Sequence, residues 1–256
     1  MKEAIVVKCG GSVLARLSDT FFSSLQKLKA EHDLVVVHGG GPEIDEMLTK
    51  LNIPVEKKNG LRVTTKDVLE VVEMILCGMV NKNLVARFEK NGASAVGLSG
   101  CDGKLLEAAA LNEELGYVGD VKTVNVKLLQ SLLSQELVPV VSPVGMDTSG
   151  QLYNINGDTA AGAIASSLGA KQLLFVTDVP GVLHNGELIR EANEELLSSL
   201  IEEGVITGGM IPKVKAALAS LQGEVEQVII VDGLKGFIDE NGAIIGTTVT
   251  KGVKAG

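Results

Sequence analysis

The chain has 256 residues, 45% of them hydrophobic, with 30 glycines, 3% aromatics, no Trp and a net charge of −9. That acidity excludes a general nucleic-acid binder, which needs a basic surface against phosphates, yet leaves room for a small anionic substrate held by a few local cations. No apolar run approaches the ~18 residues of a membrane span, and the first residues lead into a strand without a signal-peptide pattern. Cys9, Cys77 and Cys101 lack CxxC spacing and read as reduced thiols, so the expected setting is cytoplasmic.

In chain order, Ile5-Val6-Val7 runs into Lys8 and the glycines of Cys9-Gly10-Gly11-Ser12. A short apolar run closed by turn residues predicts a strand buried on both faces, as in a parallel sheet. Apolar spacing predicts a helix over about 18–32. LVVVHGGGP, residues 34–42, predicts a second buried strand ending in glycines, with Pro42 in the first turn of a helix reaching about Leu51. Twice, then, strand, glycine loop and helix follow in order. The crossover rule makes those strands parallel and brings both glycine loops to one edge.

Asn59-Gly60 predicts a hairpin over 55–63, and Thr64 or Thr65 is placed to cap a long helix reaching Lys90. Its stripe of Leu69, Val72 and Leu76 suits a dimer face or the core equally. A strand is expected at 95–100, irregular hairpin material over 103–124 with turns at Gly116 and Gly119, a helix near 126–135 and a strand at 138–142. A hairpin turning at Ser149-Gly150, an alanine-rich helix over 157–170 and a strand over 172–182 follow. Further helices are expected near 194–203 and from Gly208-Gly209 to about 221, a strand at 228–233, and an edge strand at 247–250.

No G-x-x-x-x-G-K-[ST] and no G-x-G-x-x-G occurs, which disfavours a P-loop or an ordinary dinucleotide fold. No H-E-x-x-H or Cys/His cluster suggests a protein-ligated zinc. What remains are glycine loops at strand ends with isolated charges beside them. The His38-Gly39-Gly40-Gly41-Pro42 turn offers backbone donors at a helix N-terminus. Arg62, just past a hairpin tip, has the planar fork that clamps a carboxylate, although such an arginine is commonly just solvated. Asn154-Ile155-Asn156-Gly157-Asp158 precedes a helix, where capping is the plainer role. Lys213 lies one turn into a helix and opposes its dipole, which calls for an anion nearby.

K-C-G-G (8–11), V-V-H-G-G-G-P (36–42), K-N-G-L-R-V-T (58–64), N-x-N-G-D (154–158), T-D-V-P-G-V (177–182) and T-G-G-M-I-P-K (207–213) together resemble the amino acid kinase family, in order along the whole chain. The N-G-L-R-V-T and N-x-N-G-D pair resembles the branch that phosphorylates N-acetyl-L-glutamate in arginine biosynthesis. The resemblance implies an α/β fold, a three-layer αβα sandwich around a mostly parallel sheet. It implies an N-terminal lobe (about 1–170) for acetylglutamate and dimerisation and a C-terminal lobe (about 171–256) for ATP, with Mg²⁺ held mainly by the nucleotide's phosphates.

Residue by residue, the resemblance makes Lys8 and Lys213 the pair that binds the transferring phosphoryl group, and Asp158 the aspartate that orients them. Gly40, Gly41, Arg62 and Asn154 match acetylglutamate-binding positions. Gly10 and Gly11 match the phosphate loop. Asp178, Val179, Pro180, Gly181, Val182 and Leu183, with Val205, Ile206, Thr207, Gly208, Gly209 and Met210, match segments lining the nucleotide site. With a strand beginning by Ala4, the long N-terminal helix of arginine-inhibited relatives is not expected, which favours a homodimer with weak or no arginine inhibition. No nucleic acid or membrane partner is implied. Alternatives are a kinase of another small carboxylate or phosphate acceptor, or a non-catalytic ATP- or amino-acid-binding regulator; Lys8, Asp158 and Lys213 together weigh against the latter.

The chemistry agrees with the resemblance. The γ-carboxylate of acetylglutamate has a pKa of ~4.3 as a free Glu-type acid and is ionised at neutral pH. It needs no general base. The task is to hold two anions together and to stabilise charge on the transferring oxygens.

Overall fold

The computed structural model describes residues 2–221 and 225–251. Eight strands make its main sheet: β1 (Ala4–Cys9), β2 (Asp33–His38), β3 (Ala95–Ser99), β4 (Val138–Ser142), β5 (Gln172–Thr177), β6 (Glu191–Ala192), β7 (Gln227–Asp232) and β8 (Thr247–Thr250). Their order is β6-β8-β7-β5-β1-β2-β4-β3, with β7 and β8 antiparallel and every other pair parallel.

Alternation along β1 divides the core. Ile5, Val7 and Cys9 face one cluster with Val36, while Val6 faces the other with Val35 and Val37. Onto the first face pack α1 (Gly11–Leu14), α2 (Asp19–Glu31), α3 (Gly41–Lys50), α4 (Lys66–Glu73) and α5 (Asn81–Lys90). Onto the second pack α6 (Val126–Ser134), α7 (Gly157–Leu168), α8 (Glu194–Glu202) and α9 (Met210–Leu221). The expected αβα sandwich is observed. A sheet covered on both sides buries apolar runs with no polar break, which is why its strands read as continuous hydrophobic segments.

β1 stands between β2, which follows it in the chain, and β5, which comes from the other half. Strand order reverses there, and ligands of open α/β sheets collect beyond the carboxyl ends at such a point. There β1 ends in Gly10-Gly11, β2 in Gly39-Gly40-Gly41 and β5 in Asp178.

Four local readings need correction. The irregular hairpin expected over 103–124 is present, with a register shift between Glu107 and Ala108, but it does not stand alone: Leu106–Ala110 pairs antiparallel with Val118–Val124, and both join Val144–Met146 and Leu152–Ile155 in a small closed sheet. Gly119 is inside a strand, where a Cβ would lie 2.5 Å from Tyr153 Cβ, so its glycine serves close packing and not a turn. Thr247–Thr250 is covered by Glu191–Ala192, which forms the edge; two residues carry too little pattern to announce a strand. Finally, the helix that Thr65 caps through Val68 N–H is not uniformly α. Met74–Val80 is π-helical, between α4 and α5. Leu69, Val72 and Leu76 are buried in the chain's own core, while Met74 (57%) and Met79 (43%) are exposed.

Candidate active site

The glycine loops after β1 and β2 interlock. A Cβ on Gly11 would sit 2.8 Å from Gly41 N and 2.9 Å from Gly40 N, closer than real Cβ atoms approach backbone. Only glycine lets the amides of one loop face the other so closely, which is the requirement of a backbone anion cradle. Gly10 donates its N–H to Val176 O on β5, tying the first loop to the other half of the sheet.

Lys8 leaves the end of β1 and is largely buried. Its Nζ lies 2.6 Å from Asp158 Oδ1 and 5.8 Å from the centroid of the Phe175 ring. Asp158 is free for this because Asn156, not Asp158, caps α7: Asn156 Oδ1 accepts from Asp158 N and Thr159 N. The capping expectation therefore holds for one residue of N-I-N-G-D and releases the other.

Lys213 enters from α9 on the far side. Its Nζ donates to Thr177 Oγ1 and, at 3.0 Å, to Asp178 Oδ1. The hydrogen bond from Lys213 holds the Asp178 carboxyl below its ordinary pKa. The anion demanded by a lysine in a helix's first turn is thus Asp178. Asp158 pairs with Lys8, whereas Lys213 has partners of its own. Both lysines, Asp158, Gly10 and Thr177 line one cavity of about 100 Å³.

Arg62 is held firmly, its side chain only 8% exposed. Nη1 bonds Asp45 Oδ1, and Nη2 donates to Gly41 O at 3.3 Å. Burial pushes the Asp45 carboxyl upward, but hydrogen bonds from Arg62 and Lys57 outweigh it and leave the pKa lowered. The hairpin carrying Arg62 turns at Asn59 (φ 50°) and Gly60 (φ 81°), a left-handed pair that Asn-Gly adopts readily. Asn154 Nδ2 donates to Thr64 Oγ1 at 3.1 Å, and that hydroxyl donates to Arg62 O. Gly41, Arg62 and Asn154 are therefore joined through one connected set of contacts beside the loops.

The segment after β5 forms a rim. A Cβ on Gly181 (φ 142°) would lie 2.5 Å from Thr247 Oγ1, which accepts from Val182 N. Val182 and Ile206 point into the core, so any contact they make outward is through backbone; Leu183 is exposed. Asp178, Val179 and Pro180 lead from β5 into this turn, and Val205 and Thr207 lie on the approach to α9. Gly208 and Gly209 open α9 with no atom within 4 Å of an added Cβ, and Met210 N bonds Thr207 O.

A sequence model of the amino acid kinase family matches residues 3–232. The chain belongs to the amino acid kinase family. The acetylglutamate kinase of Bacillus cereus (strain ATCC 10987 / NRS 248) is 54% identical to this kinase over 253 residues, 99% of each chain. Among solved structures, smu.665 from Streptococcus mutans UA159 superposes with a TM-score of 0.84 at 35% identity, covering 98% of this chain and 99% of that one. N-acetylglutamate synthase from Neisseria gonorrhoeae, solved with coenzyme A and N-acetyl-glutamate, shares the fold at a TM-score of 0.82 and 22% identity, covering 97% of this chain and 59% of that one.

Three groups around the kinase's site escaped the sequence reading. Arg16, after α1, reaches within 3.9 Å of Asp178 Oδ2. Arg87 donates to Leu14 O and Leu17 O, holding the chain that leaves α1. His38 and Asn81 are both wholly buried and bonded to each other behind the second glycine loop. Each acts across distant parts of the chain, and no spacing in the sequence announces that. Only the histidine's place at a strand end beside three glycines was a usable signal.

Proposed function

We propose that this kinase transfers the γ-phosphoryl group of ATP to the γ-carboxylate of N-acetyl-L-glutamate, in arginine biosynthesis. The observation that carries the reading is the convergence of Lys8 and Lys213, from opposite halves of the sheet, on one small cavity flanked by the interlocked glycine loops. Two cations and aligned N–H groups are what an in-line transfer between two anions needs, because its charge builds on the phosphoryl oxygens. The full-length likeness to acetylglutamate kinases supports the choice of acceptor.

In this reading Asp158 aims Lys8, and Thr177 and Asp178 aim Lys213. The N–H of Gly11 holds the donor phosphates, with Gly10 fixing that loop through its own N–H to Val176 O, and the N–H groups of Gly40 and Gly41 hold the acceptor. Arg62 takes the substrate's α-carboxylate, with Asn154 completing that end. Residues 178–183 and 205–210 hold the nucleotide. The N-terminal lobe, about 1–170, thus serves the acceptor and residues from about 171 onward serve ATP.

Magnesium carried on the nucleotide fits these side chains. Among the described residues no three His, Cys, Asp or Glu groups gather as a metal cage, and Asp158 and Asp178 are already engaged by lysines. When bound, it supplies charge neutralisation on the phosphates.

ADP release coupled to a reporter, with acetylglutamate, glutamate and uridylate as acceptors, tests the reading. Acetylglutamate is expected to give by far the largest kcat/KM; turnover with uridylate or glutamate instead would move the chain to another branch of the family. We extend the reading to a homodimer, with exposed Met74 and Met79 in the contact, and to weak or absent inhibition by arginine. Light scattering and an assay with added arginine test these points. Among the described residues no helix is long and apolar enough to cross a membrane.

A further inference from the structure

Behind the second glycine loop lies a buried polar chain that the transfer step above does not use. Asn81, the first residue of α5, sends Nδ2 to Val140 O on β4 at 2.9 Å and to His38 Nε2 at 3.1 Å. Its Oδ1 accepts from Lys82 Nζ at 3.0 Å, so the amide's orientation is fixed from both ends. On the other edge of the ring, His38 Nδ1 lies 2.8 Å from Gly39 O. A carbonyl can only accept, so Nδ1 carries the proton and Nε2 accepts from Asn81.

That bond has a directional consequence. Every peptide in the described chain is trans, so the Gly39 carbonyl and the Gly40 N–H point in opposite directions in one rigid plane. Pulling the carbonyl back toward His38 turns the Gly40 N–H forward, toward the loop of Gly11, 2.9 Å from where a Gly11 Cβ would stand. The adjoining π-helical turn completes the support: a Cβ on Gly40 would lie 2.6 Å from Leu76 Cδ2 and 3.3 Å from Val80 Cγ2. A wide turn in an otherwise α-helical element is a usual sign of a functional constraint.

We propose that His38 and Asn81 are positioning residues: Asn81 selects the Nδ1–H form of His38, which anchors the Gly39 carbonyl and so aims the Gly40 N–H at the acceptor carboxylate. The inference rests on the acceptor role given above to Gly40. A ring that merely fills space has no need of a particular tautomer or of a donor at the δ position.

Two substitutions separate these roles. His38→Asn keeps an N–H donor near the δ position; His38→Gln moves the amide to the ε position, beside Asn81, and leaves Gly39 O without its donor. Positioning predicts that His38→Asn holds KM for acetylglutamate within about threefold of wild type. His38→Gln is expected to raise it tenfold or more, with KM for ATP unchanged in both. Equal impairment in the two variants, or a milder effect in His38→Gln, overturns the proposal.

Nitrogen NMR of the His38 ring in the unsubstituted, ligand-free protein needs neither a folded variant nor turnover. Protonated Nδ1 with bare Nε2 is expected, and the opposite tautomer overturns the relay. If acetylglutamate proves not to be phosphorylated, the functional reading fails while the ring measurement still decides the relay.

Discussion

The two sides of the candidate site are built differently. On the proposed acceptor side, the Gly40 and Gly41 amides lie under 3 Å from where a methyl group on Gly11 of the neighbouring loop would stand, Arg62 is buried against Asp45, and His38 is sealed beneath the loop. On the nucleotide side, Gly208 and Gly209 stand clear of any neighbour, and Lys213 is twice as exposed as Lys8, 31% against 15%. In the proposed reading one half fixes a small carboxylate in a rigid frame. The other leaves space at Gly208 and Gly209 for a bulkier ligand to enter. A wrong contact is expected to cost most where the frame cannot relax, because close-packed regions answer strain by shifting and not by yielding.

The largest expected effect tests what the halves share. Lys8→Ala and Lys213→Ala each lower kcat by about a thousandfold, the upper range for removing one preorganised electrostatic contact. Tm moves by only about 2–4 °C per kcal/mol lost in a chain of this size. Near-normal turnover in either purified variant would sink the two-lysine reading.

Gly11→Ala comes next and tests the rigid side. Its Cβ must displace the Gly40 and Gly41 amides, so kcat/KM for acetylglutamate falls by about a hundredfold, the scale of a misplacement near 1 Å. Arg62→Lys keeps the charge but loses the fork; KM for acetylglutamate rises about tenfold while KM for ATP stays within twofold. An equal rise in both constants would break the division of labour between the halves.

Acid provides a further test. Burial, reinforced by the charge of Lys82 and opposed by the Gly39 contact, lowers the His38 pKa from 6.5 to about 4. Between those values the unfolded chain binds a proton that the folded chain refuses, so stability falls as pH drops from 6.5 toward 4. At 1.36 kcal/mol per unit, that window amounts to about 3 kcal/mol. Urea midpoints for His38→Asn are expected to fall less steeply over this range than for wild type. The smallest effect belongs to the open rim: Gly209→Ala changes KM for ATP by less than about twofold.

How far these features were legible depended on how local their causes are. The central strands of the main sheet were readable because burial on both faces leaves uninterrupted apolar runs. The hairpin at Asn59-Gly60 was readable because its left-handed backbone pair restricts residue choice. Glu191–Ala192 was invisible, since two residues cannot display a period. The π-helical turn was invisible too, because Met74 to Val80 has the composition of any apolar helix and only its packing on Gly40 shows where the extra width goes.

Within the site, the glycine loops and the lysines could be found from the chain. Resemblance to a family gave Asp158 its role, and geometry showed that its partner is Lys8 while Lys213 rests on Asp178. A plain spacing argument favoured capping for the N-I-N-G-D segment. That was correct for Asn156 alone.

The turn over Met74–Val80 also bears on which insertions and deletions the chain tolerates. An α-helix advances about 100° per residue. A π-helical turn advances less per residue, so deleting Gly78 to restore ordinary winding would leave α5 nearly in phase while withdrawing the width that sets Leu76 and Val80 against Gly40. That deletion keeps every hydrophobic residue and every proposed site residue in the sequence. The length of this segment is therefore information of its own, and its loss is expected to loosen the Gly40 loop without touching any residue of the proposed site.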